Sequence, residues 1–327
     1  MKRNILTKNT LNGKALTLFC ILVSMFALFW GKGFTGAVTR GLSLWVAIVL
    51  PALLPYAFLS ALFVNENFPY RLSGVTHRAF CKLFGVGKNS CHAFFINLVS
   101  GCPLGIKKIA DLKNSGLIGK GESVRASVLC STPSPMYLLA VGSITFGHRR
   151  LGLCLLLATF LSTFTLSFCF RFYKPNELPS LAPLPKLQYQ NAFFESLSSC
   201  LTTMLTIGVT LSLFSVMVDF LIATSLLSPL VALFSKLLAS ENLGNAMAIG
   251  LIESTWGIKL LGATNLSLAF PLAGILTSLG GINGLIQPLI HLKKAKIKTA
   301  PFLVAKIVQA VICFLLCLGF SAILGIR

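Results

Sequence analysis

Apolar windows of about 20 residues recur along almost the whole chain, each long enough to cross a hydrocarbon core ~30 Å thick. Inside lipid no water satisfies a bare backbone N–H or C=O, so such a chain must be helical or close into a barrel. Windows this long, about twice the ~9–11 residues of a barrel strand, select helices. Composition agrees, since 55% of the residues are hydrophobic and only 11% charged, against about a quarter charged in a soluble domain. The expected fold class is therefore an all-α polytopic membrane protein with no long soluble domain between its spans. Full spans read near 15–30, 42–64, 126–143, 151–170, 195–222 and 300–324, with broken or re-entrant segments near 79–106 and 225–290. The first window follows Lys2 and Arg3 as a signal peptide would, but "LFWGKGFTG" is a poor cleavage context, so it is read as a retained span.

The net charge of +20 takes its meaning from where the charges fall. With the amino terminus in the cytoplasm, the clusters Lys2/Arg3/Lys8/Lys14, Arg71/Arg78/Lys82/Lys88, Lys107 to Arg125, Arg171/Lys174/Lys186 and Lys293/Lys294/Lys296/Lys298 all lie inside. Lys32, Arg40, Arg149 and Arg150 lie outside. That is the positive-inside pattern. Topology accounts for the charge, and no folded basic face is left for nucleic acid.

Several apolar segments are interrupted where a spanning helix would be continuous. The stretch 96–142 breaks at Ser100-Gly101-Cys102-Pro103, carries Lys107 and Lys108 just beyond, and breaks again at Ser131-Thr132-Pro133-Ser134-Pro135. Proline removes a backbone donor and glycine permits tight turns. Non-helical backbone survives at membrane depth only inside protein or beside a watery cavity, and freed helix amino termini can hold an anion. These breaks therefore point to a binding site.

A Pro-rich polar stretch, "KPNELPSLAPLPKLQ", divides the chain, giving an amino-terminal membrane half 1–173, a linker 174–190 and a carboxy-terminal half 191–327. The same order of events follows on either side. An apolar span (46–64; 201–220) leads to a Gly-Ile-Lys element ("GCPLGIKKIA"; "STWGIKLLGA") and then to a helix broken on small polar residues ("VLCSTPSPMYLLAVG"; "ILTSLGGINGLIQPL"). With the topology above, the two halves are inverted. Inverted repeats with interrupted segments at matching positions are the sequence pointer to a transporter's midplane site.

Charged residues inside such segments are costly and normally serve a cavity, pair or snorkel. Lys107 and Lys259 occupy equivalent Gly-Ile-Lys positions, and Arg125 opens the second broken helix. Together with half-helix amino termini they predict a positive site for a small anionic solute. Glu253 lies six residues before Lys259, about 240° around a continuous helix. A break at Trp256-Gly257 would let the two meet; otherwise Glu253 faces a cavity or an ion path, or is a structural carboxyl. Asp219 reads as interfacial.

On these residues the chain resembles the sporulation integral membrane protein YlbJ family, also called SpoVV, of the nucleoside-recognition Gate superfamily. The resemblance runs from about residue 45 to the end and rests on five stretches: "LPALLPYAFLSALF", "LVSGCPLGIKKIADLKNSGLI", "RASVLCSTPSPMYLLAVGSITFG", "GLIESTWGIKLL" and "ILTSLGGINGLIQPL". Ser100, Gly101, Pro103, Gly105 and Lys107 match the family's first loop, with Cys102 where Tyr is usual. Arg125, Ser134 and Pro135 match its Arg…Asn-Asn-x-Ser-Pro element, with Ser131 and Thr132 in place of the two Asn. Gly250, Leu251, Glu253 and Gly257 match a third element, in which Trp256 replaces a small polar residue; Gly280, Gly281 and Gln287 fit the last, beside Asn283. The resemblance implies a membrane protein of endospore-forming bacteria, in the cell or outer forespore membrane, associated with moving dipicolinate into the forespore. It implies a fold similar to concentrative nucleoside transporters, with re-entrant hairpins meeting at the midplane.

A transporter for a small anionic solute, most simply dipicolinate, is the expected function. Its expected substrate contacts are Ser100, Gly101, Pro103, Gly105, Lys107, Arg125, Ser131, Thr132, Ser134, Glu253, Lys259, Gly280, Gly281, Asn283 and Gln287. A nucleoside or ion carrier is the alternative within the same superfamily. An enzyme is disfavoured: there is no H-x-x-x-D, H-E-x-x-H or G-x-S-x-G, and only eight acidic residues. A membrane scaffold needed for spore maturation is a third reading. No cofactor or metal is expected, because the ten cysteines form no paired C-x-x-C set and only four histidines exist. The partners expected are the solute and the bilayer, with a coupling ion and an oligomer left open.

Overall fold

The computed structural model describes residues 31–65, 68–174, 192–264 and 267–325. The segment 15–30 and nearly all of the linker 174–190 lie outside the described residues, as do the basic residues that precede position 31. Nearly all the described residues are helical, and none forms a strand. Four stretches are long and apolar enough to cross a bilayer: Arg149–Phe170, Phe193–Ala223, Ala269–Lys294 and Thr299–Leu324. The chain is an all-α, multi-pass integral membrane protein.

On the amino-terminal side, α1 (Gly31–Leu44) runs through a π turn (Trp45–Val49) into α2 (Leu50–Asn65). Pro51 cannot donate a hydrogen bond to the preceding turn. The ladder widens there to an i→i−5 bond, the Leu50 N–H donating to the Trp45 carbonyl, and the rod continues. The short amphipathic helix α3 (Phe68–Phe84) follows. Next come α4 (Lys88–Ser100) and α5 (Cys102–Asn114), then α6 (Lys120–Leu129) and α7 (Pro135–Phe146), then the long α8 (Arg149–Phe170). The expected span 126–143 is therefore two half-helices, because Pro133 and Pro135 leave the chain extended between them.

On the carboxy-terminal side, α9 (Ala192–Ala223) is followed by the short α10 (Ser228–Leu238). Then come α11 (Glu241–Ile252) and α12 (Ser254–Gly262), α13 (Ala269–Leu279) and α14 (Gly281–Lys294), and the long α15 (Thr299–Leu324). At ~1.5 Å per residue, α8 and α15 span ~33 and ~39 Å.

Two pairs of helices fold back on themselves. Gly101, at φ 88°, ends α4 and starts α5 in a conformation that a side chain would strain. Gly105 then lies against the Asn97 side chain, so residues eight apart in sequence touch across the turn. In the other half Gly257 packs directly on the Gly250 backbone, with no room for a Cβ between them. Gly280, at φ 78°, makes the remaining break, between α13 and α14.

Packing then brings the two halves together. The rod α1–α2 lies along α9, where Gly41 sits on the Ser212 backbone and Gly208 on the Trp45 ring, the close approach that small residues permit between membrane helices. On the far side α8 packs on α15, and α13 also packs on α15. The hairpins cross over: α5 lies against α14, and α12 against α7. Arg40 of α1 pairs with Asp219 of α9 and also stacks over the Trp256 ring of α12, 4.7 Å from its centre. Asp219 thus belongs to a contact among three helices.

Candidate functional site

All four breaks meet at one place. Gly101 lies against Ser134 and Pro133, so the α4–α5 turn abuts the α6–α7 break. Gly281 lies under the carbonyls of Gly250 and Ile252, so the α11–α12 turn abuts the α13–α14 break. The two sets join where the Tyr137 hydroxyl meets the Thr255 hydroxyl at 3.3 Å. Each break is followed by a helix that begins there, so α5, α7, α12 and α14 all present their amino termini to the same region.

The prolines decide the chemistry of the α6–α7 break. In a continuous helix the Ser131 carbonyl would accept from residue 135, but Pro135 has no N–H to give. The Lys306 ammonium of α15 takes over, donating to the Ser131 oxygen at 2.8 Å. It also donates to Gln309 Oε1 at 3.3 Å, while Gln309 Nε2 donates to the Thr163 hydroxyl on α8 at 2.6 Å. Thr132 is held from the hairpin side, where Asn97 Nδ2 donates to its hydroxyl at 2.9 Å. Ser134 caps α7, accepting from the Tyr137 N–H at 3.3 Å.

Glu253 makes the matching turn in the other half. It ends α11 and caps α12, accepting from the Thr255 N–H at 3.1 Å and the Trp256 N–H at 2.6 Å. A carboxylate at this position complements the positive end of the half-helix. The break is at Glu253 itself and not at Trp256-Gly257, so Glu253 and Lys259 do not meet: Glu253 is fully buried and Lys259 exposed.

These turns line a partly open cavity of about 200 Å³. Ser100 to Pro103 line it from the first hairpin, and Ser131, Pro133, Ser134 and Tyr137 from the first broken helix. Glu253 to Thr255 line it from the second hairpin, and Thr277, Gly280, Asn283 and Gln287 from the second broken helix. Lys306 enters from α15, and Val49, Leu53, Ile207 and Leu211 close it from the α1–α2 rod and α9.

Of the residues expected as substrate contacts, Ser100, Gly101, Pro103, Ser131, Ser134, Glu253, Gly280, Asn283 and Gln287 line this cavity. Six lie elsewhere. Lys107 and Lys259 are exposed on the outer sides of α5 and α12, where a lysine keeps its ammonium out of the packed interior. Arg125 is buried in the middle of α6, donating to the carbonyls of Gly85, Tyr173 and Lys174 at 2.7–2.9 Å. It ties the ends of α3 and α8 together and does not reach the cavity. Gly105 and Gly281 are packing positions behind the turns, and Thr132 is spent on Asn97. Among the described residues the cavity is lined by one ammonium and one carboxyl group, where three cations were expected.

Lys306 is the residue the sequence reading missed. A signal existed: a lysine and a glutamine three residues apart, one side of a helix, in the apolar run "APFLVAKIVQAVICF". Tyr137, Thr255 and Thr277 carried no comparable mark.

The resemblance read from the motifs has a counterpart among characterised proteins. Over 306 residues the chain is 26% identical to the sporulation integral membrane protein YlbJ of Bacillus subtilis (strain 168), covering 84% of this chain and 74% of that protein. The chain is thus similar to YlbJ. The alignment spans most of the interrupted elements and long helices described above, so the likeness concerns the membrane body as a whole. No family model matches the chain, and no solved structure matches it either.

Proposed function

We propose that this protein is a carrier that moves a small anionic solute across a membrane, with dipicolinate as its cargo during sporulation and no covalent chemistry of its own. The observation that carries the reading is the buried Lys306 ammonium. It lines a cavity made of helix breaks, and its partners there are neutral oxygens. Among the described residues no carboxylate lies within ion-pair distance of it. A charge held in membrane protein without a counter-ion is costly, and an anionic solute would supply that counter-ion. The relative's name connects that protein with sporulation, which supports the choice of cargo.

The order of elements supports an alternating-access design. Each half runs from a long rod through a short helix, a hairpin and a broken helix to a second long helix. Two such halves in opposite orientation, meeting at a midplane site, would make the inverted repeat expected from the sequence. A nucleoside carrier is a second reading, favoured by the amides of Asn283 and Gln287 and the hydroxyl of Thr255 on the cavity wall. Uptake of radiolabelled dipicolinate into vesicles reconstituted with the full chain tests both. Saturable uptake that uridine and adenosine leave intact is the expected result. Absence of uptake, or competition by nucleosides at equal concentration, would overturn the anion reading.

A further inference from the structure

Lys306 and Glu253 line the same cavity from different elements and are not paired with each other. Among the described residues these are the one ammonium and the one carboxyl group on the cavity wall. The groups that surround the Glu253 carboxylate are otherwise neutral or already engaged. Tyr137 faces it from α7, with its hydroxyl on Thr255. Asn283 lies beside it on α14, and Thr277 of α13 lines the same cavity. Behind Trp256, the Arg40 guanidinium is taken by Asp219. On its own element Lys259 is exposed and turned away.

A solute with two carboxylates brings more negative charge than Lys306 alone can match. Its first carboxylate is matched by Lys306; among the described residues that line the cavity there is no second cation for the other, which shares the cavity with Glu253. Two carboxylates confined to one such site do not both stay ionised, and one of them takes a proton. The Glu253 side chain is the fixed member of that pair. Resting on the carrier reading above, we propose that Glu253 is a proton-binding site, so that one proton and one dicarboxylate enter and leave the cavity together. The step is a simple association: a proton from water adds to the Glu253 carboxylate as the dianion docks at Lys306. The resulting O–H is free to donate to the solute's second carboxylate. Release of the solute on the other side returns the proton to water.

The test uses the purified full chain and dipicolinate itself as probe. Binding is measured by equilibrium dialysis across pH 6 to 8, and proton uptake with an indicator dye in weak buffer. About one proton should be taken up per dipicolinate bound, and affinity should rise about tenfold for each pH unit lowered, as linkage of one proton to one ligand requires. The Glu253→Gln variant should bind with no proton uptake and a flat pH profile. Proton-free, pH-independent binding by the unmodified protein would overturn the proposal while leaving the carrier reading intact. Proton uptake that persists in Glu253→Gln would overturn the assignment to this residue. Failure of the unmodified protein to bind dipicolinate at any pH would remove the carrier reading, and this proposal with it.

Discussion

Replacing Lys306 by Met separates the charge from the shape of the site. Methionine is unbranched and fills irregular core space well, so the helix face remains covered. An ammonium offers three donors; two go to Ser131 and Gln309, leaving one for a solute. A hydrogen bond to a charged group contributes about 1.5–3 kcal/mol. At ~1.4 kcal/mol per factor of ten, its loss should weaken dipicolinate binding about 10- to 150-fold. Stability should move much less, because two effects oppose each other. The buried charge disappears, which relieves its desolvation, while the Ser131 carbonyl loses the Lys306 donor at a cost of about 1–3 kcal/mol. Affinity by equilibrium dialysis and thermal unfolding on the same preparation measure both. A folded Lys306→Met protein that binds dipicolinate within twofold of the unmodified one would refute the placement of the anion at Lys306.

The double variant Pro133→Ala/Pro135→Ala restores two backbone donors at the α6–α7 break; it should keep or raise thermal stability yet lower dipicolinate affinity at least severalfold, and unchanged affinity would mean the break is only packing. Arg125→Ala removes bonds to three carbonyls and should lower stability by ~3 kcal/mol or more, while leaving affinity per folded molecule unchanged; a specific affinity loss would restore Arg125 to the site. Lys107→Ala and Lys259→Ala alter exposed side chains and should leave uptake within about twofold, since neither charge faces the cavity across a low-dielectric path. Lys296→Cys should react with a membrane-impermeant maleimide only from the cytoplasmic side, and labelling from outside would undo the inverted arrangement.

What the sequence disclosed and what it hid follow a physical division. Backbone breaks were legible because proline and glycine act on the backbone itself, whatever surrounds them; Gly101, Pro133, Pro135 and Gly280 all do in the structure what their chemistry dictates. Long apolar helices were legible for the same local reason, and the spans expected at 151–170, 195–222 and 300–324 fall within residues of the helices found. The surroundings of the cations were not legible, because they depend on how far along and on which side of each helix the rest of the protein packs. Lys107 sits four residues, about 6 Å, beyond the cavity-lining Pro103, and Arg125 six residues, about 9 Å, before Ser131. Both are near the cavity in sequence, yet Lys107 lies a helical turn beyond it, exposed, and Arg125 is buried among other partners. Lys306 is distant by 175 positions from the carbonyl it serves, and only the packing of α15 against the break reveals it.

The contact of Gly257 on Gly250, with Gly281 wedged beneath the same turn, sets the timescale on which this wall of the cavity can yield. Side-chain rotamers on a protein surface exchange in picoseconds to nanoseconds, and a gate built from them flickers at that rate. Here peptide units meet peptide units, with no side chain between them to swing aside. Opening on this side requires whole helices to shift, a movement of microseconds to milliseconds. On the proposed carrier reading, filling and emptying from this side would therefore proceed by discrete, slow helix movements and not by the flicker of single side chains.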